Sequence, residues 1–185
     1  MRVPHRDWNI LLDHDRTYTL GSADNSQTYC RVYRLDDETP YRPSSQHSVR
    51  VFSIAGEELG SCLLAATGGA TGIHEHSAVA VGDILFVAVG PYTASLQLPS
   101  LDLLWSRQVD GATCFGLHHA PAHCCLIAHG ELAISRLGYD GAVAWTACGA
   151  DIFTGQLEVA GDRVRAEDFD GRTYLWDIRT GEHVE

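Results

Sequence analysis

LFVAVGPYTASLQLPSLDLLW (85–105) and CLIAHGELAISRLGYDGAVAW (125–145) are one piece of sequence written twice, offset by 40 residues. Gly90 falls on Gly130, Leu98 on Gly138 and Trp105 on Trp145, and the apolar run before each glycine superimposes. A weaker third copy follows at an offset of 41. There Gly171 matches Gly130, and RTYLWDIRTGE (172–182) matches the strand after it. A period near 40 residues with strand-like patterning predicts stacked β-units such as propeller blades.

The punctuation around this repeat is regular. Gly56, Gly82-Asp83, Gly90-Pro91, Asp110-Gly111, Asp140-Gly141, Gly161-Asp162 and Asp170-Gly171 separate apolar or alternating runs of strand length. Glycine and Asp-Gly pairs suit tight hairpins, and the runs between them are rich in Val, Ile, Leu, Tyr and Thr. No window holds a helical period for three turns, so the chain reads as all-β and antiparallel.

Three units can be laid out. Unit 76–110 holds HSAVAV (76–81), ILFVAV (84–89), YTASLQL (92–98) and LLWSRQV (103–109). Unit 114–148 holds CFGLHHA (114–120), HCCLIAH (123–129), LAISRLG (132–138) and AVAWTAC (142–148). Unit 155–185 supplies GQLEVA (155–160), RVRAEDF (163–169) and TYLWDI (173–178), then lacks a fourth strand. A degenerate unit over about 16–66 draws on SQTYCRVYRL (26–35), SVRVFSI (48–54) and ELGSCLL (58–64). The expectation is a single domain over 1–185, a small antiparallel β-propeller-like repeat of three to four blades. DWNILLD (7–13) or RTYTLG (16–21) is the candidate to close the ring by completing the last blade and removing its open edge. An open half-propeller that pairs with a second copy is the structural alternative.

DFDGRTYLWDIRTGE (168–182) resembles the blade ends of the quinoprotein-like and WD-repeat propeller superfamily. There a strand carrying Tyr/Leu/Trp-Asp runs into an x-Thr-Gly-Glu turn. The resemblance spans about 76–182 and implies the propeller fold. It departs from the WD pattern in having no Gly-His pair at each blade opening and one Trp-Asp dipeptide, Trp176-Asp177. The full signature of a quinone site is missing, so no chemistry carries over.

Composition bounds the function. The 185 residues are 45% hydrophobic and 20% charged, as in an ordinary globular domain. No apolar run is long enough for a membrane span, and the N-terminus does not resemble a secretory leader, so the expected location is the cytoplasm. The net charge of −11 opposes nucleic acid and anionic membranes and suits a basic protein partner. Six cysteines without an export signal are expected to be reduced, with Cys114, Cys124, Cys125 and Cys148 in apolar stretches and so in the core. The polar segments 22–27 and 36–47 are expected to be surface loops. Gly68, Gly69 and Gly72 should form a flexible connection between units, and the acidic residues Glu167, Asp168 and Asp170 a solvated turn.

Candidate chemistry lies in the histidines. His74 and His76, with His118 or His119, fall at similar places in successive units, each before the first turn of its blade. Residues at i and i+2 on a strand share a face, so His74 and His76 could reach one ion, whereas only one of His118 and His119 could join them. His123 and His129 complete the cluster. The ligand type suits a zinc or iron ion. No nucleophile elbow, spaced Cys pair or phosphate loop occurs. Trp105 and Trp145 are expected to pack between blades, and Trp8 is the freest to contact a partner.

Three expectations follow. The first is a non-catalytic protein-binding module with no cofactor, such as a bacterial immunity-type or antitoxin-type binder of a basic partner. The second is an enzyme or sensor with a histidine-held metal at the propeller axis. The third is a half-propeller that homodimerises. The oligomeric state is thus monomer or homodimer.

Overall fold

A computed structural model describes residues 1–36 and 41–184. Residues 37–40, in the second polar segment, and residue 185 lie outside the described residues. Among the described residues, sixteen strands form four sheets that follow one another along the chain.

The first sheet contains β1 (Arg2–Val3), β2 (Asn9–His14), β3 (Arg31–Arg34), β4 (Ser45–Phe52) and β5 (Glu58–Ala66), in the order β1-β2-β4-β5-β3. The second is the meander β6 (Ala78–Val81), β7 (Ile84–Val89), β8 (Tyr92–Gln97) and β9 (Asp102–Gln108). The third is the meander β10 (Cys114–Ala120), β11 (Cys125–Gly130), β12 (Ala133–Gly138) and β13 (Val143–Cys148), with one turn of 3-10 helix at Pro121–His123. The fourth has β14 (Leu157–Ala160), β15 (Arg163–Glu167) and β16 (Thr173–Asp177). The twin segments 85–105 and 125–145 therefore occupy β7 to β9 and β11 to β13.

Burial patterns explain the layering. In β7 the run is buried on both faces. Leu85, Val87 and Val89 pack with Ile10, Leu12, Val49 and Leu64 of the first sheet. Phe86 and Ala88 pack with Leu117, Leu126 and Ala128 of the third. β11 repeats the arrangement, sending Leu126 and Ala128 back and Cys125 and Ile127 forward to Val164, Ala166 and Trp176 of the fourth sheet. An unbroken apolar run belongs to a strand covered on both sides. β15 instead alternates, with Val164 and Ala166 buried and Arg163, Arg165 and Glu167 on the outer face. That face is solvated by ion pairs, Arg163 with Asp177 at 3.1 Å among them. At the other end, residues 15–30 cross the outer face of the first sheet. Gln46 donates to the Tyr18 carbonyl, Arg50 donates to Gln27, and the Arg50 guanidinium lies 5.3 Å from the centre of the Tyr29 ring.

The sheets are joined at their outer edges by one recurring bond. The Tyr33 hydroxyl of β3 donates to the Leu101 carbonyl at 3.1 Å. The Trp105 indole of β9 donates to the Tyr139 carbonyl at 3.0 Å, and the Trp145 indole of β13 to the Ile178 carbonyl at 2.9 Å. Each acceptor lies in or just past the last hairpin of the following sheet. Gly141 and Gly181, with φ of +81° and +72°, sit beneath the two indoles, where a Cβ would come within 2.8 and 2.7 Å of the rings. Asp110 adds a buried link. One carboxylate oxygen accepts the Ala112 and Thr113 N–H groups, and the other accepts those of Leu132 and Ala133 in the next sheet.

Several expectations are corrected. The segment 7–13 does not complete the last sheet, because its apolar alternation places Ile10 and Leu12 against Val51 and Val49 within the first. The segment 16–21 forms no strand. An N-terminal strand does fill a missing edge, but it is β3, laid parallel to β5 in the first sheet. That sheet starts at Arg2 and so extends beyond 16–66. Among the described residues, no strand of the first sheet pairs with the fourth. Residues 182–184 turn back along β16 instead, with Val184 donating to Leu175 at 2.8 Å. Trp8 is half-buried against the first core and stacks on His5, so it is not a free contact residue. Cys114 and Cys125 are buried, but Cys124 and Cys148 are exposed on a turn and an edge strand. The loop at Gly69 is tied down, donating to Ala112 at 2.9 Å. Asp168 is buried and accepts from the Tyr174 hydroxyl and the Arg172 amide. No helix among the described residues is long and apolar enough to cross a membrane.

If the edge joints hold the stack, Trp145→Phe should cost about 1–2 kcal/mol by stripping the Ile178 carbonyl of its donor. Gly181→Ala should cost at least ~1 kcal/mol through left-handed strain and collision with the indole. Urea unfolding checks both, and an unchanged midpoint for either variant would count against the joint.

Candidate functional site

The first strands of the second, third and fourth sheets meet around a cavity of about 400 Å³. His74, Glu75 and His76 approach it from the turn before β6, His118 from β10, His129 from β11, and Gln156 and Glu158 from the start of β14. The cavity exists partly because residue 116 has no side chain. Gly116 pairs with His129 across β10 and β11, and a Cβ there would lie 2.7 Å from the Cβ of His76.

His74 and His76 are brought together by a turn, not by strand alternation. Ser77 N–H donates to the His74 carbonyl, and the Ser77 hydroxyl accepts from His74 N–H. His74 is committed on both ring nitrogens. Nε2 donates to the Phe115 carbonyl at 2.7 Å, and Nδ1 accepts from His76 N–H at 3.3 Å. His76 stacks on His118 with ring centres 4.1 Å apart and an interplanar angle of 23°. His129 lies 6.3 Å beyond His118 and meets Phe115 edge-on. Its Nε2 is buried without a hydrogen-bond partner. His119 points to the opposite face and bonds the Tyr139 hydroxyl at 2.8 Å, as the alternation of β10 requires. His123 bonds the Gly161 carbonyl, outside the cavity.

Of the four histidines singled out from the sequence, the structure thus gathers His74, His76 and His118 and sends His119 away. Among the described residues, no group of three or more His, Cys, Asp or Glu side chains is arranged to hold a metal ion. The stacked pair presents its ring edges side by side, whereas tetrahedral ligands must converge on one point.

His129 was within the cluster but unassigned, and the repeat carried its signal. It stands where Val89 stands in the twin segment, a polar residue in an otherwise buried apolar position. His14 and His47 gave no such signal. They face one another across β2 and β4, with ring centres 4.9 Å apart, and extend the histidine group into the first sheet.

Burial sets the protonation of these rings. It pushes His118 down to about 3 and His129 and His47 to about 4, helped by the like charges that neighbouring histidines would carry. All three are neutral at pH 7. Each can then donate at one nitrogen and accept at the other.

The sign for stability follows directly. Unfolding restores His47 to its ordinary value near 6.5, so between about 4 and 6.5 the unfolded chain binds more protons. The contribution of His47, on the order of 3 kcal/mol, is complete above 6.5 and lost as pH falls toward 4. Urea unfolding at pH 7.5 and 5 should show a marked loss at the lower pH. His47→Gln should make that dependence shallower, leaving the share carried by His118 and His129; an equally steep profile in the variant would refute the assignment.

No protein-family model and no curated protein matches the sequence. Solved structures do. The computationally designed Ika8 protein matches with a TM-score of 0.57 over 78% of this chain and 46% of its own, at 14% identity. The computationally designed Ika4 protein matches with a TM-score of 0.51 over 63% of this chain and 75% of its own, at 13% identity. A europium-containing methanol dehydrogenase gives 0.49 over 59% of this chain and 23% of its own, at 22% identity. The first two likenesses are of fold alone. The chain spans less than half the length of Ika8.

Proposed function

We propose that this chain is a propeller-like, non-catalytic binding module for a basic protein, and that the partner docks over the cavity between the first strands. One observation carries the reading: the cavity is lined by two carboxylates, an amide and four imidazoles, of which burial keeps His118 and His129 neutral, and by no arginine. The chain has 13 arginines and no lysine. Eight of the arginines are spent on ion pairs, with Arg31–Asp102, Arg163–Asp177, Arg172–Asp170 and Arg179–Asp162 lying along edges and turns. Those pairs neutralise acids elsewhere; among the described residues neither Glu75 nor Glu158 at the cavity is ion-paired to an arginine, and Glu75 has the His76 ring 3.6 Å away. A negative concavity in a protein of charge −11 steers a basic partner toward its mouth. A neutralising binder of a basic toxic protein fits this chemistry.

The capped ends favour a free-standing unit over a half-propeller awaiting a second copy. One end face is crossed by residues 15–30, and the other carries Glu158, Arg163, Arg165 and Glu167. The metal reading has less support, since His74 is committed to Phe115 and His119 lies outside the cavity.

The test is binding of a synthetic arginine-rich peptide, followed by interferometry at two salt concentrations. Glu75→Gln and Glu158→Gln should each weaken binding roughly two- to fivefold, the size of a rim charge. Glu57→Gln, in the turn between β4 and β5, should leave it unchanged. Equal losses in all three variants would reduce the effect to bulk charge and defeat the reading.

A further inference from the structure

The floor of the cavity narrows what it can hold. His129 is nine-tenths buried, lines the cavity, and has a ring nitrogen with no partner in the protein. A buried polar atom left unmatched costs on the order of 1–3 kcal/mol, so such atoms are ordinarily satisfied by something. His118, beside it, stacks on the His76 ring and has its ring centre 6.3 Å from that of His129. Both rings are neutral, so each offers a lone pair to a donor. Glu75 and Glu158 at the rim supply negative charge and accept hydrogen bonds only. With Nε2 of His129 as the acceptor nitrogen, this lining suits a cation that donates several hydrogen bonds.

Its shape is also constrained. A spherical metal ion needs converging ligands, which this donor set does not provide. A quaternary ammonium donates no hydrogen bond and would leave His129 unmatched. A guanidinium is planar, carries five N–H donors in a fixed fork, and stacks on flat rings such as the His76–His118 pair. We infer that the cavity takes the guanidinium of an arginine side chain. His129 Nε2 accepts one N–H at the floor, and the rim carboxylates of Glu75 and Glu158 accept the others. Gly116 keeps the space open beside His76. This rests on the reading of the chain as a binder of a basic protein, and names the residue of the partner that enters.

The experiment uses agmatine, a guanidinium joined by four methylenes to an ammonium, as the probe in NMR titrations of the whole chain, with putrescine, which keeps the ammonium and lacks the guanidinium, as the control that should not bind. Binding is expected with a Kd of roughly millimolar, as befits so small a ligand, with shifts centred on Gly116, His118 and His129. His129→Phe should weaken it ~10-fold by removing the buried acceptor. Glu158→Gln, at an exposed position, should weaken it severalfold and serves if the His129 variant does not fold. Tetramethylammonium should not compete. Three results would overturn the inference: unchanged agmatine binding in both variants, competition by tetramethylammonium, or stoichiometric zinc uptake that agmatine cannot displace. If the arginine-rich peptide still binds in a Glu75- and Glu158-dependent way while agmatine does not, the guanidinium assignment alone fails. If the peptide shows no such dependence, the broader reading falls with it.

Discussion

Everything in this molecule hangs on an aromatic side chain at the outer edge of one sheet donating a hydrogen bond to a carbonyl of the next. Tyr33, Trp105 and Trp145 make the three joints. None of the sheets can bury its apolar face alone, so each needs a neighbour held at a fixed distance and angle. A hydrophobic face sets the attraction but not the register, because apolar contact is non-directional. The edge bonds supply direction. They fix the outer rim, and the packed layers of Leu, Val and Ile then decide how closely the inner strands approach.

That geometry makes the cavity. Once the rims are joined and the layers filled, the first strands of three successive sheets converge with no further layer between them. Residues there do not face a partner sheet but one another. Repeat positions that are apolar elsewhere can then be polar, as at His129 in place of Val89. The imidazoles are kept neutral by burial and by each other, which makes a group of histidines tolerable in the middle of a protein. Stability at neutral pH and the presence of lone pairs in the cavity thus have one cause.

Much of this was legible in the chain, and the limits are physical. The 40-residue offset, the hairpin glycines and the paired tryptophans gave the second and third sheets nearly strand for strand, since there the pattern is local. The first sheet was misjudged because β3 pairs in parallel with a strand some 30 residues away, and nothing nearby encodes such a contact. The end of the fourth sheet was misjudged for a related reason: an open edge can be met by any segment, and here 182–184 returns to it. Of the site, His74, His76 and His118 were found through their matching places in successive units. His47 and His14 were not, because they oppose each other only once β2 lies beside β4. That His74 is committed to Phe115 depends on the placement of a loop, which composition does not encode.

The joints have a spectroscopic corollary. Trp105 and Trp145 each span one boundary between sheets, and Trp176 lies inside the last layer. Indole emission shifts with the polarity and hydrogen bonding around the ring, so each of these residues is a resident gauge of one boundary. A chain that keeps one tryptophan at a time would reveal the order in which its layers part, with no dye or label attached.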